Sequence, residues 1–204
     1  MIQKVDFKKT YKQLYNPTET GFHFIDVPDM NYLMLDGKDN PNTSENYQHA
    51  VQALYSMSYG IKFELKAQGF DYIIPPLEGL WWMPNMNEFT LENINEWEWT
   101  MMIMQPEWIT SEIVEKVKEV TLRKKKEQLL KNVRFEVFRE GLSVQILYIG
   151  AYKNEAPTIA EMHNYINTNG YETNGKHHEI YLSDIRKTSA DKLRTILRQP
   201  IRKN

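Results

Sequence analysis

The chain has 204 residues, a net charge of −2 and no cysteine. Its length permits one large domain or two small fused ones. The charge excludes a global pull toward nucleic acid or anionic membrane, and the missing cysteines exclude disulfides, thiolate catalysis and cysteine metal sites.

No apolar run approaches the ~20 residues of a membrane span. The opening stretch, MIQKVDFKKTYKQLY, has no apolar signal core. A soluble, cytoplasmic protein is expected. Five Trp, 12 Tyr, 8 Phe and 10 Met supply many flat or polarizable side chains. They furnish either a large core or a pocket for a flat apolar ligand.

Residues 6–15 read as a short helix stopped by NPTETG. FHFIDV (22–27) and MNYLMLDG (30–37) read as strands. Ser44 is a good N-cap for a helix in which Tyr47, Val51, Leu54, Ser58, Ile61 and Leu65 recur at helical spacing to about Lys66. FDYIIPPLEGLWWMP (70–84) reads as a strand interrupted at Pro75 and Pro76, which cannot donate to a ladder. EWEWTMMIMQP (96–106) is a further strand. Residues 110–126 form a connecting helix with the apolar stripe Ile113, Val114, Val117 and Val120. Strands follow at 133–141 and 142–152, then a helix at 156–170 with Pro157 near its start, then strands at 176–184 and 194–201.

The two halves share an order: strand, helix, strand, strand. YLMLDG answers LYIGAY, PPLEGLWW answers HHEIYLSD, and MMIMQP answers TILRQP. The spacing predicts an internal duplication. Repeat one covers about 22–106, the connecting helix about 107–131 and repeat two about 133–204. Glu78 and Glu179 then fall on related strands, and the natural pocket lies between the repeats.

Several residues in this frame bear chemistry. Glu179 shares a strand face with Tyr181, while Ile180 and Leu182 take the other. Either Glu179 is a solvated edge carboxylate beside His177 or His178, or it is the ionisable group of a pocket. Desolvation there suits it to pair with a cation or to act as a general base. Glu78 precedes Trp81 and Trp82, adjacent residues that must point to opposite faces. Trp97 and Trp99 share a face and could sandwich a planar ligand or pack against helices; Met102 lies on the alternate face. Tyr55 and Tyr59 are one helical turn apart, and Tyr148 and Tyr152 fall on one strand face. Each is a core residue or a donor to a ligand carbonyl. No HxxxH or HxH pair occurs among the five histidines, so no metal site is expected, and no cofactor motif is present.

The segments VPDMNYLMLDG, NYQHAVQALYSMSYGIKF, PPLEGLWW, EWEWTMMIMQP and KHHEIYLSDIRKTSADKLRTILRQPI together resemble the GyrI-like small-molecule-binding family, which is related to effector-binding domains of multidrug-sensing transcription activators. The resemblance implies a single α+β domain over 1–204. Two βαββ repeats form one antiparallel sheet, helices pack on one face, and a ligand cleft lies on the pseudo-twofold axis. In regulator relatives a buried glutamate on a late strand binds cationic aromatic drugs, and Glu179 sits in the matching segment. Some stand-alone members are hydrolases that open the cyclopropane ring of aromatic DNA-alkylating compounds. About twenty residues precede the first strand, too few for a helix-turn-helix, so no direct DNA binding is expected.

The resemblance thus implies either a detoxifying cyclopropanoid hydrolase or a non-catalytic binder of aromatic or cationic xenobiotics. In the hydrolase, Glu179 would orient and deprotonate water, and Tyr55 or Tyr148 would stabilise the developing oxyanion. Trp81, Trp82, Trp97 and Trp99, with Glu78, Tyr181 and Met102, would line the site.

Overall fold

The computed structural model describes residues 4–125 and 127–204, with the backbone alone for Asn87. Lys126, the expected last residue of the connecting helix, lies outside the described residues. In chain order the elements are β1 (Lys4–Val5), α1 (Phe7–Thr10), α2 (Lys12–Tyr15), β2 (His23–Val27), β3 (Met30–Lys38), α3 (Glu45–Ala67), β4 (Asp71–Tyr72) and β5 (Leu77–Trp82). They continue with β6 (Glu98–Gln105), α4 (Ser111–Lys125), β7 (Arg134–Phe138), β8 (Gly141–Ile149), α5 (Ala156–Thr168), β9 (Tyr171–Thr173), β10 (His177–Tyr181) and β11 (Arg194–Lys203). The protein is α+β, with a large antiparallel sheet and helices packed on it.

Three details differ from the sequence expectation. The 6–15 helix is two single turns broken at Tyr11, whose φ of −104° and ψ of 51° are not helical. The 70–84 strand is cut at Pro75 and Pro76, as their missing N–H groups require. Its first piece, β4, pairs in parallel with β1 in a separate two-stranded sheet. Strand β9, unforeseen in the sequence, pairs with β11.

The main sheet runs β2-β8-β11-β10-β5-β6-β3-β7. Its centre is the antiparallel pair β5–β10, and the strands outward from it match: β6 with β11, β3 with β8. The outermost strands are exchanged. β2 leads directly into β3 yet pairs with β8, while β7 leads into β8 yet pairs with β3.

Strand pairing fixes two faces. His177 lies opposite Trp81, Glu179 opposite Gly79 and Tyr181 opposite Leu77. Trp99, Met101 and Ile103 continue that face through β6. This face carries α3, whose Tyr47 touches both Trp81 and Trp99. It also carries α5, whose Met162 and Ile166 pack with Val144, Ile146, Leu197 and Ile201. Glu179 therefore lies on the strip of sheet between the two helices. The far face carries Glu78, His178 and Arg198 and is crossed by α2. No described helix is long and apolar enough to cross a membrane.

One contact pins the α3 side of the sheet. The Trp99 ring lies flat over Gly37, fully buried, and its indole N–H donates to Asp39 Oδ1 at 3.0 Å. A Cβ at Gly37 would collide with that ring. Asp39 Oδ2 also accepts from Ser44 Oγ at 2.6 Å, and Ser44 caps α3 through the Tyr47 amide at 3.1 Å. The indole cannot move without breaking this chain of bonds. Gly37→Ala should lose about 1–3 kcal/mol in urea denaturation, and unchanged stability would show that the ring is free to shift.

Candidate functional site

The Ser44 cap sets where α3 begins, and so where the first-turn residue Tyr47 lands. Its ring meets Trp81 at 6.1 Å and Trp99 at 5.3 Å. Gly79 does the corresponding work in the sheet. A Cβ there would stand 2.8 Å from Trp81 Nε1, so the missing side chain lets the Trp81 indole lie across the strand toward β10. That indole N–H donates to the Tyr181 hydroxyl at 3.0 Å, and the hydroxyl donates to Glu179 Oε2 at 2.8 Å. Tyr152 closes edge-on against Tyr181 at 5.6 Å, and Trp97 meets Trp81 edge-on at 5.9 Å. The Glu179 carboxylate is thus walled by Tyr47, Trp81, Tyr152 and Tyr181, with 13% of its side chain exposed.

A second carboxyl shares this cleft. Glu155 precedes α5 at the N-cap position but makes no side-chain cap bond. Its side chain is buried instead, and Oε1 has no hydrogen-bond partner among the described residues. Burial, and then the Glu179 charge, push this carboxyl far above its ordinary value. Two carboxyls in one poorly solvated site cannot both ionise. The pair therefore holds one proton near neutral pH, on Glu155. The same burial and the Glu179 charge push Tyr152 up to about 12 and raise Tyr47 and Tyr181 further, so all three phenols keep their protons as donors.

The floor continues in orphaned polar atoms. Among the described residues both ring nitrogens of the buried His177 lack a hydrogen-bond partner, Nε2 standing 3.6 Å from Glu179 Oε1, and so does His163 Nε2 on α5. A buried polar group without a partner costs roughly 1–3 kcal/mol, and such groups mark places built to meet something else.

The candidates from sequence separate by face. Glu179, Tyr181 and Trp81 come together. Trp97 stands at the rim, stacked on Phe89 at 4.3 Å with its N–H on the Thr90 carbonyl. Trp99 faces the right way but is spent on Gly37 and Asp39. Trp82, Met102 and Glu78 are on the far face and do not reach the cleft. The reason is a one-residue offset: Gly79, not Glu78, stands opposite Glu179, and a shift of one residue turns a side chain to the other face. Trp82 instead carries the Lys176 ammonium over its ring at 3.1 Å.

Of the two tyrosine donors, Tyr148 gives its hydroxyl to the Ala151 carbonyl at 3.2 Å, and Tyr55 packs on Tyr59 toward the Asp184–Arg186 turn. Tyr47, Glu155 and His177 were missed as site residues; Tyr152, one of the four candidate tyrosine donors, comes from the turn after β8 and not from a strand face. Ser44 as an N-cap could have flagged Tyr47. Glu155 carried no sequence signal beyond a place before Pro157, where acids are common. Among the described residues no group of three or more His, Asp or Glu side chains is placed to hold a metal ion.

An acidic pair and flat rings thus meet on the strip of sheet between two helices, an arrangement that suits a small molecule. The chain belongs to the GyrI-like small-molecule-binding family, whose sequence pattern matches residues 20–202. An uncharacterized conserved protein from Listeria innocua is similar at 42% identity and a TM-score of 0.91, covering 98% of this chain and 100% of its own. A hydrolase from Listeria innocua is similar at 40% identity and a TM-score of 0.88, with the same coverage. The C-terminal domain of EcmrR, at 12% identity and a TM-score of 0.57 over 90% of this chain and 98% of its own, shares the fold. No functionally curated protein matches the chain.

The Glu155 assignment has a stability signature. A carboxyl raised in the folded state contributes fully below the unfolded value of about 4.3 and loses its contribution as pH rises through the folded value. Glu155→Gln removes that loss. Its stability advantage over wild type should therefore grow by about 1 kcal/mol per pH unit above pH 5, read by denaturation between pH 5 and 8. A constant gap would show that Glu155 ionises as an ordinary carboxyl.

Proposed function

We propose that the protein is a hydrolase that opens an activated cyclopropane fused to a cyclohexadienone, detoxifying aromatic alkylating compounds. The feature that carries this reading is the pair of carboxyls beside the aromatic rings, with burial and the Glu179 charge raising Glu155. A pocket that only binds a cation needs Glu179 alone. Ring opening by water needs a base and an acid together.

The chemistry divides between them. Glu179 takes a proton from water as the water oxygen attacks the cyclopropane carbon. The C–C bond breaks and its electron pair enters the dienone, which becomes a phenolate. The neutral Glu155 carboxyl donates to that oxygen as charge develops, in a site too dry to solvate it otherwise. The product is the phenol carrying a hydroxyalkyl arm, and solvent returns the proton from Glu179 to Glu155. Tyr47, Trp81, Tyr152 and Tyr181 hold the flat body of the substrate in line. The 40% identity to a Listeria innocua hydrolase over nearly the whole chain supports a hydrolytic role. The role needs no contact with DNA.

A second reading rests on Glu179 and its rings: the same cleft sequesters an aromatic cation without turnover. Incubation with a spirocyclopropyl cyclohexadienone, followed by mass spectrometry, separates the two. The expected result is gain of one water, slowed about 100-fold or more in Glu179→Gln and in Glu155→Gln. An intact compound at stoichiometric protein removes the hydrolase reading. Tight calorimetric binding of an aromatic cation without any turnover would then leave the binder.

A further inference from the structure

The back of the ligand strand carries a second buried polar cluster that the proposed reaction does not use. His178, next to Glu179 but on the far face, sits between two carboxylates. Its Nδ1 is 2.8 Å from Glu140 Oε1 and its Nε2 is 3.0 Å from Glu78 Oε2, and the three side chains are fully buried. Glu140 also accepts from Arg198 Nη1 at 3.0 Å. Arg198 Nε donates to Gln145 Oε1 at 3.0 Å. Glu78 accepts from the hydroxyls of Tyr15 at 2.9 Å and Tyr32 at 3.2 Å.

With both neighbouring carboxyls ionised, the geometry fixes the charge of His178. A neutral imidazole has one N–H, so its other nitrogen would present a lone pair to a carboxylate oxygen. Both contacts are satisfied only by the imidazolium. Two carboxylates then balance one guanidinium and one imidazolium, and no net charge is buried. Burial opposes both ionised forms, yet the Glu140 and Glu78 carboxylates raise His178, and the His178 and Arg198 charges hold Glu140 down at about 2.

This cluster is also what ties down the N-terminal segment. Arg198 Nη2 donates to the Leu14 carbonyl at 2.9 Å, Gln145 Nε2 donates to the Gln13 carbonyl at 2.8 Å, and Tyr15 reaches Glu78. These three consecutive residues form the last turn of α2, and Phe7, Leu14 and Tyr15 are buried under it. A one-turn helix has no stability of its own, so the segment stays where these bonds hold it.

We propose that the proton on His178 locks residues 7–15 onto the back of β10, and that His178 and Tyr15 are thereby positioning residues for Glu179. When the proton leaves, one carboxylate contact turns repulsive. Glu78 is the weaker-held side, and it carries Tyr15 with it. Strand β5, which bears Glu78, also bears Gly79 and Trp81, and β10 bears His178 and Glu179 side by side. Loosening the far face therefore shifts the carboxylate and the indole on the ligand face. The inference rests on the reading of Glu179 as the ligand carboxylate.

The groups facing His178 are Glu78 from β5, Glu140 from the β7–β8 turn, Arg198 from β11 nearby, and Tyr15 and Tyr32 beyond Glu78. Burial raises the Tyr15 and Tyr32 hydroxyls and the neighbouring carboxylates raise Arg198, so the ring proton is the part that titrates on the alkaline side. A raised imidazole contributes below its unfolded value of about 6.5 and is lost as pH rises through the folded value. Loss of the Glu155 proton has the opposite sign, since it adds negative charge and strengthens cation binding.

The test uses rhodamine 6G as an aromatic monocation, with affinity measured from pH 6 to 10. The His178 ring is followed by NMR, and amide exchange is followed over residues 8–15 and 177–181. In wild type, affinity should fall about tenfold in step with the His178 titration, with faster exchange in both segments. His178→Gln should be weaker at neutral pH and lack that step. Tyr15→Phe, the milder change, should weaken binding a few-fold at neutral pH and speed exchange at residues 8–15. If both variants are folded and keep wild-type affinity and the alkaline step, the proposal is overturned. If wild type and Glu179→Gln bind the dye equally, the reading of Glu179 fails. The lock then stands or falls on whether exchange at residues 8–15 and 177–181 follows the His178 titration.

Discussion

Glu179 stands opposite Gly79, and that single register between β5 and β10 decides what every neighbouring side chain can do. Strands alternate with period two, so this pairing sends His177, Glu179, Tyr181 and Trp81 to the helix face and Glu78, His178 and Ile180 to the other. The empty position at Gly79 is part of the same constraint. It leaves the Trp81 ring room to cross toward Tyr181, whose hydroxyl then has only the Glu179 carboxylate to donate to. A side chain at position 79 would fill the floor of the cleft and sever the Trp81–Tyr181–Glu179 chain together.

The two faces of one strand pair follow opposite electrostatic rules. On the far face each charged group has an opposite charge beside it: His178 between Glu78 and Glu140, Arg198 on Glu140, and tyrosine hydroxyls on the remaining carboxylate atoms. Such a network is expensive to desolvate and rigid once complete. On the ligand face the ledger is left open. Glu155 Oε1, Thr195 Oγ1 and both nitrogens of His177 find no hydrogen-bond partner among the described residues. At nearly equal burial, the fold satisfies the polar cluster on one side of the sheet and leaves the one on the other side unmet.

The sequence told of the strands, the long helix and the faces within a single strand, because those depend on periods of two and 3.6 that each residue reports locally. Trp97 and Trp99, or Glu179 and Tyr181, needed no partner strand to be placed together. What depends on a second strand was out of reach. PPLEGLWW and HHEIYLSD stand on related strands, but which residue of one lies opposite Glu179 is set by the pairing register alone. Gly79 takes that place, so Glu78, Trp82 and Met102 turn to the other face. Glu155 was invisible for another reason. Thr195 and Tyr181 come beside it only once β10 and β11 are in place. The broken helix at 6–15 was equally hidden: the break falls at Tyr11, and Tyr15 in the second turn bonds a carboxylate 63 residues away.

The state of the Glu155 proton bears directly on what kind of molecule the cleft favours. Were both carboxyls ionised, the site would demand a cation and reject a neutral dienone, since two uncompensated charges in a dry cleft repel each other and must be neutralised by the ligand. With one proton shared, the cleft carries a single negative charge at one end and a hydrogen-bond donor at the other. An aromatic molecule with an electrophilic carbon and a carbonyl oxygen matches that polarity along its length. An aromatic cation matches only the Glu179 end and leaves the Glu155 hydroxyl facing an apolar ring. In the proposed reaction it is the asymmetry between the two carboxyls, one raised by burial and the other accepting from Tyr181, that divides acid from base.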